Sequence, residues 1–259
     1  MRKGKHQPSL NDRGGKFVNR PGGRLTNSWL YGLHAVRSAL ANPQRKLHRL
    51  LATDPVARSL GRVPIAPEIV GREAIDAVVP RGAVHQGIAL LAEPLPEPDF
   101  ADAVSPGQAD RAIVLVLDQV TDPHNVGAIL RSSAAFGAKA VVVTERNTPD
   151  ATATLAKAAS GALDVVPVAR VVNLARAIDD LKKAGYWCVG FADGAEKTLV
   201  EADLTGHVAL VFGAEGEGLR RLTAERCDQL LRIPTANAMA SLNVSNAVAV
   251  ALYELARWR

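Results

Sequence analysis

Residues 113–118 read Ile113-Val-Leu-Val-Leu-Asp118 and run directly into Gln119-Val-Thr-Asp-Pro-His-Asn-Val-Gly-Ala-Ile-Leu-Arg-Ser-Ser-Ala-Ala-Phe-Gly137. An unbroken apolar run of this length predicts a strand buried on both faces. Asp122 can cap the helix that follows, with Pro123 at its first position, which places Asn125 in the first turn and Arg131 further along. Val126, Ile129, Leu130 and Phe136 then form a stripe that faces the sheet. A buried strand leading into an amphipathic helix is the building unit of a parallel α/β sheet.

Downstream the same alternation recurs. Strands are expected at Ala140–Val143, Val165–Val168, Trp187–Phe191, Val208–Phe212 and Leu230–Ile233, and helices at Thr152–Ser160, Val172–Ala184, Glu217–Ala224 and Leu242–Trp258. This describes a doubly wound α/β domain over residues 110–259, whose ligands bind outside the carboxyl ends of the strands. Upstream, residues 28–93 form a smaller α/β unit, with a helix from His34 to Ala41, a strand Leu47–Ala52, one or two short helices within Pro67–Val79 and a strand Gly87–Ala92. Between the units, the prolines from Glu93-Pro-Leu-Pro-Glu-Pro-Asp-Phe to Ser105-Pro106-Gly107 mark a linker over 94–109.

Charge is concentrated at one end. Residues 1–27 carry seven Lys and Arg against Asp12, a net +6 in a chain of net +5. Their few large apolar residues cannot repay the entropy of folding, so this segment is expected to be a disordered tail. It serves either as a phosphate-binding arm or as a solubilising leader. The 259 residues are 47% hydrophobic and 22% charged, which sets aside fibrous and wholly disordered classes. No apolar run approaches the roughly 18 residues of a membrane span, and the N-terminus lacks a hydrophobic signal core, so a cytoplasmic protein is expected. Cys188 and Cys227 have no metal-ligand spacing, the six histidines form no metal constellation, and both cysteines are expected in packing roles.

Three polar loops stand at expected strand ends. The first carries Asn125 and Arg131, an arginine among small and apolar residues that is either structurally paired or waiting for an anion. The second, Phe212-Gly213-Ala-Glu215-Gly-Glu217-Gly218-Leu219, has glycines after a buried strand but neither dinucleotide nor P-loop spacing. Its glutamates would repel a pyrophosphate, leaving a tight turn or a site for a cofactor with a positive centre or a nucleoside without phosphates. The third runs from Ile233-Pro234 through Ser241-Leu242-Asn243-Val-Ser245-Asn246; Ser241 is the expected helix cap, and the remaining polar groups are further capping residues or site residues.

In order and spacing, these three segments resemble the motifs of the SpoU branch of the SPOUT superfamily of RNA ribose 2′-O-methyltransferases. The N-terminal unit is similar to the family's ribosomal-protein-like RNA-binding domain through Tyr31-Gly-Leu-His-Ala-Val36 and His85-Gln-Gly-Ile88. The resemblance implies a C-terminal trefoil knot, S-adenosylmethionine as cofactor and a homodimer with active sites near the subunit interface. It implies RNA as partner, with a guanosine ribose of 23S rRNA as target, and no DNA or membrane. Matched by position, Asn125, Arg131, Glu215, Ser241 and Asn243 are the expected catalytic residues, and the backbone at Gly213, Ile233 and Leu242 the expected hold on the cofactor's adenosine; no metal is expected. Thr235, Asn237 and Asn246 depart from the family pattern. A tRNA ribose methyltransferase and a non-catalytic RNA-binding assembly factor are the alternatives, with a dinucleotide-dependent enzyme third for want of a fingerprint.

Overall fold

The computed structural model of the chain describes residues 28–146, 148, 153–236 and 242–257. The basic segment 1–27 and Ser241 lie outside the described residues, and with them the expectations of a disordered tail and of a Ser241 cap. Among the described residues, no helix is long and apolar enough to cross a membrane, and no group of His, Cys, Asp or Glu could hold a metal ion.

The N-terminal unit runs β1 (Ser28–Tyr31), α1 (Leu33–Ala41), β2 (Leu47–Ala52), α2 (Asp54–Leu60), β3 (Pro67–Ile69), α3 (Arg72–Asp76) and β4 (Ile88–Ala92). Its sheet has the order β1-β4-β2-β3, with β3 parallel to β2 and the other pairs antiparallel. The helix expected from Pro67 onward begins only at Arg72. Pro67 instead opens a short edge strand, where its missing N–H costs the sheet nothing, paired in register with Leu50.

Within 94–109, Asp99 caps a short helix, α4 (Phe100–Val104), accepting from the backbone N–H groups of Ala101 and Asp102. Ala103 and Val104 are buried against the second sheet, and the Tyr186 hydroxyl donates to the Val104 carbonyl at 2.7 Å. The prolines therefore flank a helix that packs onto the following domain.

That domain runs β5 (Ile113–Asp118), α5 (Pro123–Phe136), β6 (Ala140–Thr144), α6 (Ala153–Ala159), β7 (Val168–Val171), α7 (Leu174–Lys183), β8 (Trp187–Phe191), β9 (Val208–Gly213), α8 (Arg221–Arg226), β10 (Gln229–Leu231) and α9 (Val244–Ala256). Every pair in its six-stranded sheet is parallel, in the order β10-β8-β9-β5-β6-β7. The run at 113–117 is apolar throughout because Ile113, Leu115 and Leu117 enter the core beneath α5, α6 and α9, while Val114 and Val116 enter the core beneath α4 and α7. Asp122 caps α5 by accepting the His124 N–H at 2.9 Å, with Pro123 at the first position as its sequence demands.

Several boundaries differ from the periodicity. The strand expected at Val165–Val168 occupies Val168–Val171, because a 3₁₀ turn at Ala162–Asp164 takes up the chain before Pro167. The last sheet strand ends at Leu231 rather than Ile233. The helix expected from Glu217 begins at Arg221, since Gly216 and Gly218 hold φ values of +80° and +68° that no helix contains.

The two sheets meet through α6 and the 3₁₀ turn. Arg45 forms a two-pronged ion pair with Asp164, Nε to Oδ1 at 2.8 Å and the second guanidinium arm to Oδ2 at 3.0 Å, with side chains only 7% and 4% exposed. Asn42 adds a bond to the same carboxylate at 3.1 Å, and Leu163 packs into the N-terminal core.

Candidate active site

The site forms at the carboxyl ends of β5, β8 and β9, where Phe191, Phe212 and Gly213 leave the sheet. The register pairs Gly190 with Val211, so Phe191 lies beside Phe212 and their rings stack at 4.3 Å with 4° between planes. They wall a cavity of about 500 Å³, a size suited to a small organic cofactor. Its remaining lining includes the 213–219 loop, Asp193, Arg232, Ile233, Thr235 and Leu242. Gly213, from the second loop, and Ile233 and Leu242, from the third, thus line one cavity.

Gly213 must be glycine for a packing reason. A Cβ there would lie 2.0 Å from the carbonyl carbon of Gly218 and 2.4 Å from the Leu219 nitrogen. The loop folds flat against its own start, with the Gly218 N–H donating to the Ala214 carbonyl at 2.9 Å. Backbone rather than side chain consequently faces the cavity at this edge. The lining carries three carboxylates, Asp193, Glu215 and Glu217, against one cation, Arg232, a net negative charge that suits a cationic ligand better than a polyphosphate.

At the cavity mouth, three of the expected catalytic side chains are joined. The Asn125 side-chain amide donates to Glu215 Oε1 at 2.9 Å. Asn243 spends both amide hydrogens on the other two, donating to Asn125 Oδ1 at 3.0 Å and to Glu215 Oε1. Its own Oδ1 accepts the Ser245 N–H at 2.9 Å and the Ser245 hydroxyl at 2.6 Å, which makes Asn243 the cap of α9. The cap locks the Asn243 amide in the orientation that reaches Glu215. Glu215 Oε2 and the second Asn125 amide hydrogen carry no bond among the described residues, and Glu215 is exposed, so both can meet a ligand.

Arg131 is not part of this cluster. Six residues separate it from Asn125 on α5, a displacement of about 9 Å along the axis and about 120° around it. It is exposed and has no hydrogen bond or ion pair among the described residues.

Sequence reasoning missed the Phe191–Phe212 stack and the tie between Asp118 and Arg220 beneath the loop. Asp118 offered a signal: an acidic residue closing a strand that is otherwise wholly apolar is buried and needs a cation.

Comparison with known proteins places the chain. Residues 112–253 match the model of the SpoU rRNA methylase family, and residues 29–98 match that of the RNA 2′-O ribose methyltransferase substrate-binding domain. The chain is 44% identical over 240 residues to the 23S rRNA (guanosine-2′-O-)-methyltransferase RlmB of Pasteurella multocida, covering 89% of this chain and 98% of that protein. It is 39% identical over 241 residues to the RlmB of Escherichia coli K12, with the same coverage of each. The crystal structure of an RNA 2′-O ribose methyltransferase superposes with a TM-score of 0.74 at 26% identity, covering 89% of this chain and 88% of that one. The SpoU methyltransferase AviRb of Streptomyces viridochromogenes, in complex with AdoMet, shares the fold with a TM-score of 0.75 at 23% identity over 90% of both chains. Matched by the family model over residues 112–253 and spanned nearly end to end by such relatives, this chain belongs to the SpoU rRNA methylase family.

Proposed function

We propose that this protein transfers a methyl group from S-adenosylmethionine to the 2′-hydroxyl of a guanosine ribose in 23S rRNA, acting as a homodimer in the cytoplasm. The observation that carries the reading is the hydrogen-bonded trio of Asn125, Glu215 and Asn243 at the mouth of a phosphate-averse, glycine-edged cavity. A sulfonium cofactor supplies an electrophilic methyl group and needs no phosphate site. The backbone at Gly213, Ile233 and Leu242 would hold its adenosine, and the acidic rim favours its positive charge.

A ribose hydroxyl is a poor nucleophile at neutral pH, so the site must align it and stabilise the charge it develops. Asn125 and Glu215 present one unused donor and one unused acceptor oxygen to orient it. Arg131 contacts the hydroxyl or the adjoining phosphate and stabilises oxyanion character; as an arginine it stays protonated, so the proton passes to another acceptor. Ser241 completes the third motif.

The chain divides into a basic arm (1–27), an RNA-binding domain (28–93), a linker (94–109) and a knotted methyltransferase domain (110–259). The outer face of α5 and α9, which carries Arg131, Val250 and Tyr253, is exposed and offers a surface for the second copy. That arrangement would set the Arg131 of one copy near substrate held between the two.

The test is transfer of labelled methyl to rRNA and, separately, tRNA from cells lacking the protein, with the modified ribose mapped. A 2′-O-methylguanosine in 23S rRNA is the expected product. Labelling of tRNA alone would replace the substrate, and cofactor binding without transfer would point to a non-catalytic binder.

A further inference from the structure

Asp118 closes β5, and its side chain is fully buried. A carboxylate there needs partners, because an unpaired buried charge is strongly destabilising. Arg220 supplies two donors: its backbone N–H reaches Oδ2 at 3.1 Å and its Nε reaches Oδ1 at 2.6 Å. The Arg220 side chain is 48% exposed, so desolvation falls mainly on the carboxylate.

The position of the pair matters more than its strength. Asp118 is the ladder partner of Gly213, where the loop carrying Glu215 begins, and Arg220 is the N-cap residue of α8, where that loop ends. The loop leaves Asp118 and returns to it. Asp118 also precedes Gln119, held at φ +59°, from which the chain turns toward α5 and Asn125. Two of the three members of the trio are therefore attached to the same buried carboxylate, through neither of their own side chains.

We propose that Asp118 and Arg220 are positioning residues for methyl transfer: their ion pair anchors both ends of the loop that presents Glu215 to Asn125 and Asn243. This inference rests on the trio being the substrate-orienting site. A pair that only stabilises the fold would weaken the protein without its effect passing through Glu215.

The test compares Arg220→Gln, Arg220→Lys, Glu215→Gln and the Arg220→Gln/Glu215→Gln double variant. Methyl transfer to unmethylated 23S rRNA, S-adenosylmethionine binding by calorimetry and thermal melting are measured for each. Arg220→Gln is expected to lower kcat by about tenfold or more, with the KM for rRNA unchanged, and to lower it by less than about twofold in the Glu215→Gln background. Its melting shift is expected to be the same in both backgrounds. Arg220→Lys, which keeps the charge and the backbone donor but loses the Nε donor to Oδ1, recovers part of the rate. Rate losses that multiply across the double variant, or a normal kcat in Arg220→Gln, overturn the proposal. Full activity in Glu215→Gln would instead overturn the reading of the trio. If Arg220→Gln fails to fold, the same cycle is run with Arg220→Lys.

Discussion

Asn125 and Glu215 stand ninety residues apart in the chain and share a 2.9 Å hydrogen bond, amide to carboxylate, beside the cavity that Glu215 lines. Asn243 bridges the two while its own oxygen caps α9, so one side chain serves both the helix and the site. The roles separate in Asn243→Ser. A serine still caps the helix, and the melting temperature is expected to stay within a few degrees of the parent, but the bridge to Glu215 is lost. Methyl transfer is expected to fall about 100-fold, the scale of a misplaced reacting group. Parallel loss of stability and activity would show that the cap alone explains the residue.

Arg131 extends from α5, exposed and without a partner among the described residues. Lysine at this position keeps the charge and loses the planar fork. Arg131→Lys is expected to lose about 100-fold or more in turnover while S-adenosylmethionine affinity by calorimetry stays nearly constant. Near-normal turnover removes Arg131 from the mechanism.

Gly213→Ala forces a methyl group onto the backbone of Gly218 and Leu219. Because backbone cannot yield as a flexible side chain does, the loop must open. A loss of about 1–3 kcal/mol in stability is expected, together with weakened cofactor binding. Urea denaturation and calorimetry check the two effects; an unchanged cofactor affinity would show that the loop's flatness is not what shapes the cavity.

Arg45 and Asp164 form a buried ion pair between the two sheets. Arg45→Ala leaves the Asp164 carboxylate with only Asn42 and is expected to cost about 3–5 kcal/mol. Denaturation should then become biphasic or shift to lower urea, whereas Arg49→Ala, at the exposed Glu68 pair, should shift it little.

Burial pushes the thiols of Cys188 and Cys227 from 9.0 up to about 12, and the Tyr186 phenol from 10.0 up to about 12. In the fold these groups hold their protons longer than in the unfolded chain. Their contribution to stability is therefore whole below about pH 9 and is lost as pH rises toward 12. The urea midpoint is expected to decline above pH 9, less steeply in a Cys188→Ala/Cys227→Ala variant. A midpoint flat to about pH 10.5 would contradict the assignment.

Elements whose signals lie within a few residues are legible in the amino-acid sequence alone. The strand Ile113–Asp118, the Asp122–Pro123 start of α5 and the strand Leu47–Ala52 depend on burial runs and caps that act over one turn or one pleat. The family resemblance also groups Asn125, Glu215 and Asn243 as candidates. Boundaries decided by distant partners are not legible in this way. Pro67–Ile69 is a strand because β2 lies beside it, and α8 starts late because Gly216 and Gly218 turn the loop back toward Asp118.

The sequence by itself determined the parallel α/β class, the polar character of the three strand-end loops and the concentration of positive charge before residue 28. Only the tertiary structure decided that β9 lies between β8 and β5, which brings Glu215 to Asn125 and seats Arg220 on Asp118. The reason is physical. Periodicity records which face of an element is apolar, but strand order follows from how all the faces pack at once. A buried carboxylate finds its cation only after that packing is complete.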